Sequence, residues 1–92
     1  MANDALGFVE TRGNTGSIMA LDAMLKAANV EHVKTVSIGG GFVTVVVRGE
    51  VGAVKSAIEA GTEAAATIGE LICVNIIPSA HNDVFGLIGI NK

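Results

Sequence analysis

Apolar and polar positions along this chain switch between strand and helix periods, and the switches mark its elements. Residues 5–11, ALGFVET, form a short apolar-rich run that predicts a first strand, closed by Arg12-Gly13. From about Asn14 the apolar residues Ile18, Leu21, Leu25 and Ala28 recur at helical spacing, with Asn14 or Thr15 placed to cap the N-terminus. Asp22 and Lys26 stand four apart, acid first, as an exposed ion pair on a helix would require, and Asn29 marks its end. HVKTVSI (32–38) predicts a second strand, and FVTVVVR (42–48), rich in β-branched residues, a third. Gly39-Gly40-Gly41 separates the two and predicts a hairpin. Gly49-Glu50 opens a second helix with Val51, Val54, Ile58, Gly61, Ala65 and Ile68 on its apolar stripe, ended by Gly69. ELICVNII (70–77) is a fourth strand stopped by Pro78, and SAHNDVFG predicts a short final helix with Ser79 as its cap and Asp83 in its first turn.

The resulting order is β-α-β-β-α-β, with a short C-terminal helix appended. It implies an α+β fold of the ferredoxin-like, split βαβ type, with two helices on one four-stranded antiparallel sheet. Residues 1–92 read as a single domain, without linkers, low-complexity segments or long repeats.

Composition adds the first hint of partners. The chain is half hydrophobic and only 16% charged, with a mean hydropathy of +0.57. A domain this small leaves much of its surface unburied when alone, so the surplus apolar surface predicts contact with other protein copies. No apolar run reaches the roughly 18 residues needed to span a bilayer, and the N-terminus lacks a secretory pattern. The single cysteine, Cys73, lies in an apolar run and reads as a buried reduced thiol, which together with the missing signal points to the cytoplasm. A net charge of −3, scattered basic residues and only three aromatic side chains argue against nucleic acid as a partner.

Candidate chemistry is sparse. The triple glycine precedes a strand rather than a helix and no lysine follows it, so both the P-loop and the dinucleotide fingerprint fail. Two readings of it remain: a plain hairpin turn, or a point of close approach to a ligand or a symmetry mate. His32, His81 and Cys73 lack metal-ligand spacing, and neither metal nor cofactor is expected. His81 near Asp83 reads as a helix-start pair, and Glu10 as the salt-bridge partner of Arg12 or a lysine. An acylphosphatase-like hydrolase would need a longer phosphate loop than TRGNTGS supplies, and no nucleophile has an evident base, so no enzyme is predicted.

Four blocks carry a resemblance to a known family. ALGFVETRG resembles the opening A-L-G-x-(I/V)-E-(T/V)-(K/R)-G of single-domain bacterial microcompartment (BMC-domain) shell proteins. LDAMLKAANV is similar to that family's D-A-M-(V/L)-K-A-A-x-V helix, and IGGGFVTVVVRGEVGAVKSAIEAG to its central glycine-rich block. GELICVNIIP corresponds to its G-E-(L/V)-x-x-x-x-(V/I)-I-P, and the blocks run in order from residue 5 to about 83.

The resemblance implies a structural tile in the protein shell of a cytoplasmic bacterial microcompartment. Six copies would form a hexagon with a central pore, packed edge to edge with other shell proteins around enclosed enzymes. Ser37, Ile38, Gly39, Gly40, Gly41 and Phe42 would surround the pore, passing small polar or anionic metabolites. Lys26, Asn29, Ser79 and His81 would lie at the hexamer–hexamer edge, although the residues alone read Lys26 as a solvated partner of Asp22. Two departures stand out. Pro78-Ser79-Ala80-His81 replaces the family's P-R-P-H, which removes an edge arginine and predicts a weaker or re-angled seam. Ser37 replaces a frequent lysine, which removes six positive charges from the pore approach. The alternative is an ACT-like ligand-sensing module that oligomerises and binds an effector between subunits.

Overall fold

The structure is a computed structural model and describes residues 4–79. Its order is β1 (Ala5–Arg12), α1 (Asn14–Ala27), β2 (Glu31–Ser37), β3 (Phe42–Gly49), α2 (Val51–Thr67) and β4 (Leu71–Ile77). The strands form one sheet in the order β2-β3-β1-β4, and every neighbouring pair is antiparallel. This is the expected split βαβ layer. The expected final helix, with Asp83 and His81, lies outside the described residues.

The core follows from the strands' two-residue period. Ala5 and Val9 of β1, with Val45 and Val47 of β3, face the helices and join Ala20, Met24, Val54, Ala57, Ile58 and Ala65 in the main core. On the opposite face of the sheet, Leu6 and Val46 are buried with Phe8, Val33 and Ile77 against them. Close approach of helix to sheet depends on Gly7, where an added Cβ would stand 2.7 Å from Ile58 Cδ1 and 2.9 Å from Val54 Cγ1. The helices approach each other closely at Gly61, where a Cβ would meet Met24 Cγ at 2.7 Å.

The helix ends follow local rules unevenly. Glu50 caps α2, its carboxylate accepting from the amides of Gly52 (3.0 Å) and Ala53 (3.2 Å). At the other end, Gly69 takes a positive φ of 72°, its amide donates to Ala66 O and that of Glu70 to Ala65 O. That pair of bonds is the Schellman motif. α1 differs from expectation: its cap is Gly13 rather than Asn14 or Thr15, and no side chain caps it.

Three further expectations are corrected. Ile18 and Leu25, apolar positions at helical spacing, and Ile68, on the expected apolar stripe of α2, are 65%, 45% and 38% exposed. α1 instead buries Gly16, Ser17, Ala20 and Met24, because small side chains let it settle onto α2. Cys73 is exposed rather than buried, since β4 is an edge strand. Its thiol donates to Glu10 Oε1 at 3.3 Å. That hydrogen bond, then partial desolvation and the charge of Glu10, raise the thiol pKa above its ordinary value. Glu10 therefore faces Cys73, not Arg12.

Candidate functional site

The six residues expected around a pore come together at one end of the sheet. Ser37 closes β2, Phe42 opens β3, and Ile38–Gly41 make the turn between them. Ile38 N–H donates to Phe42 O and Phe42 N–H to Gly39 O, both at 3.2 Å. The turn runs through three consecutive left-handed residues, with φ of 91° at Gly39, 65° at Gly40 and 83° at Gly41. Side chains with a Cβ rarely adopt this conformation, so the glycine run is required by the turn of a single chain before any neighbour is considered.

The turn also stands clear of the rest of the domain. A Cβ added at Gly39 or Gly41 would meet nothing within 4 Å, and one at Gly40 only the Phe42 ring. Ile38 is 60% exposed. Among the described residues, the amides of Gly39, Gly40 and Gly41 have no acceptor. They are donors available to whatever lies beyond the tip. A cleft of about 210 Å³ opens beside the turn, bordered by Gly13, Asn14, Ser37 and Phe42.

Three residues outside the expected set join this end. Arg12 is the register partner of Phe42 across β1 and β3, and its guanidinium lies 5.7 Å from the centre of the Phe42 ring. Gly13 N–H donates to Gly41 O, tying the exit of β1 to the turn. Glu70 packs its carboxylate against Gly13 and Gly16 at the uncapped start of α1, with Oε1 buried and accepting no hydrogen bond among the described residues. The partial positive charge of that helix end favours a carboxylate there. The signal for Arg12 lay in the fold class: a split βαβ sheet sets β1 beside β3, so the last residue of one adjoins the first of the other.

The expected edge residues lie at the far end. Lys26 is in the last turn of α1, twelve residues beyond Asn14, about 18 Å at 1.5 Å per residue. Its ammonium pairs with Asp22 at 2.9 Å, and both side chains are exposed. Asn29 is exposed beside Gly49, and Gly49 pairs with Ala5 at the opposite end of β1 from Arg12. Ser79 is exposed just past β4, whose Ile77 pairs with Leu6 at that same end. His81 lies outside the described residues.

No helix among the described residues is long and apolar enough to cross a membrane, and they contain no group of three His, Cys, Asp or Glu suited to a metal.

Comparison with known proteins bears on the family of the chain. The BMC domain profile matches residues 5–80. The chain is 55% identical over 84 residues to the bacterial microcompartment shell protein PduA of Citrobacter freundii, covering 91% of this chain and 90% of the relative. It is 52% identical over 81 residues to the microcompartment shell protein EutM of Salmonella typhimurium, covering 88% and 84%. Against the carboxysome shell protein CsoS1B of Hydrogenovibrio crunogenus it is 46% identical over 89 residues, covering 96% and 92%. Among solved structures, a microcompartment protein from Desulfitobacterium hafniense superposes with a TM-score of 0.86 at 32% identity. The match covers 99% of this chain and spans half the length of that one.

Proposed function

This chain belongs to the BMC-domain family, and from that premise we infer that it is a structural shell protein of a bacterial microcompartment, assembling there with other shell proteins. Its matched relatives are structural shell proteins, so they lend no support to catalysis or to the ACT-like sensor.

The finer reading is a single-domain homohexameric tile. Six hairpin tips surround a central axis, and Lys26, Asn29 and Ser79 face the neighbouring hexagon. The observation that carries it is the free-standing turn at Gly39–Gly41, at the opposite end of the domain from the last turn of α1. A slab of 35 × 27 × 16 Å with one glycine tip can converge on an axis there without side chains colliding. Exposed Ile18 and Leu25 on α1, with Ile72 and Val74 on the edge strand, supply apolar surface for the contacts between copies. The unpaired glycine amides would favour small polar or anionic metabolites over apolar gases crossing toward enclosed enzymes.

Native mass measurement tests the tile, with six copies expected in the absence of any small molecule. A dimer that changes state only on adding an effector would instead support the sensor. Electron microscopy of the purified protein tests tiling. Ser79→Arg, which restores a donor fork at the seam, should extend or order the sheets, and unchanged assembly would count against the edge assignment.

A further inference from the structure

The turn that would surround the axis carries no charge of its own: Ser37, Ile38, the three glycines and Phe42 are all neutral. A charge stands beside it nonetheless. Arg12 faces Phe42 directly across the strand pair, exposed, with its guanidinium over the ring.

The acidic groups nearby are turned to other tasks. Glu10, two residues back along β1, accepts the Cys73 thiol. Glu70 packs its carboxylate inward against Gly13 and Gly16, with one oxygen buried. Among the described residues no carboxylate pairs with Arg12, whereas the chain's other arginine, Arg48, is held by Glu31 at 2.7 Å. The Phe42 ring stabilises the guanidinium without neutralising it, since a cation–π contact leaves the charge in place. Next to it, the amides of Gly39, Gly40 and Gly41 have no acceptor among the described residues. Gly13 N–H, donating to Gly41 O, ties the arginine's strand to this set of donors.

We propose that Arg12 is the charge-selecting residue of the pore, and that it and the glycine amides recruit small anions, carboxylates above all. The proposal rests on the hexameric pore reading. Six copies would place six guanidinium groups around the approach to the tip. A planar fork of donors suits a carboxylate better than a compact halide and does not suit a metal cation. Charge rings of this kind act by concentrating counter-ions at a mouth, so their effect falls steeply as salt rises. The absence of charge at Ser37 therefore does not leave the approach neutral.

The test is ion selectivity of purified hexamers in a planar bilayer under a potassium chloride or potassium acetate gradient, with native mass checked first. Wild type should favour the anion. Arg12→Gln should lower the anion-to-cation permeability ratio by about tenfold at low salt, with the difference shrinking toward 1 M salt. Arg12→Lys should retain anion preference while losing part of the advantage of acetate over chloride. Phenylglyoxal treatment of assembled Arg48→Lys hexamers, whose sole arginine is Arg12, should reproduce the loss without any refolding. Conducting hexamers whose ratio is unchanged by both Arg12→Gln and phenylglyoxal would overturn the role of Arg12 and leave the pore standing. Failure of the wild type to form hexamers, or to conduct, would overturn the pore reading and this inference with it.

Discussion

Substituting Gly39 and Gly40 separates the demands of the turn from those of a pore. Gly40 has a φ of 65°, within the φ range of the left-handed helical well, where an L-residue costs about 1–2 kcal/mol. Removing glycine's freedom from the unfolded chain offsets about 0.4–1 kcal/mol of that. The new Cβ would touch the Phe42 ring at 3.4 and 3.5 Å, an ordinary contact. Gly40→Ala should therefore destabilise the protein by about 1 kcal/mol. Gly39, at 91°, lies outside that well, so Gly39→Ala should cost more, about 2 kcal/mol, although its Cβ would meet nothing within 4 Å. Gly40→Asn should cost less than Gly40→Ala, because asparagine tolerates left-handed backbone. Urea unfolding followed by circular dichroism, at one fixed protein concentration so that assembly contributes equally, gives the three values. The expected order of loss is Gly40→Asn, Gly40→Ala, Gly39→Ala. If the loss followed side-chain size instead, with asparagine worse than alanine at position 40, backbone strain would be refuted. Crowding around a shared axis would then explain the glycines.

Three other outcomes follow from the packing and the titration of the domain. Gly7→Ala forces a methyl into Ile58 and Val54 and should cost about 1–3 kcal/mol in the same unfolding assay, partly recovered by Ile58→Val. Glu50→Ala removes the acceptor for two amides at the start of α2 and should cost about 0.5–2 kcal/mol, with Glu50→Asp recovering part of it. Cys73 should alkylate slowly with iodoacetamide near neutral pH, because a thiol pKa raised by Glu10 leaves less thiolate. Glu10→Ala should shift the pH–rate midpoint downward, and an unmoved midpoint would break the assignment to Glu10.

Much of this protein was readable from neighbouring residues because much of it is locally determined. Strand and helix periods, the Gly69 helix stop, the Asp22–Lys26 pair and the hairpin at Gly39–Gly41 each depend on residues a few positions apart. Family motifs then identified the shell domain, since four blocks in fixed order are specific even where single motifs are not. Tertiary structure decided what depends on distant segments. Period alone could not say which side of α1 would be buried: the small residues Ser17 and Ala20, with Met24 against Gly61, won over Ile18 and Leu25. An apolar sequence context could not show that Cys73 sits on an edge strand beside Glu10, 63 residues away. The same holds at the turn. The chain itself dictated three glycines, because three successive positive φ angles admit little else. Only strand pairing brought Arg12 across from Phe42 and Glu70 back to the start of α1, because cross-strand neighbours are set by register and not by distance along the chain.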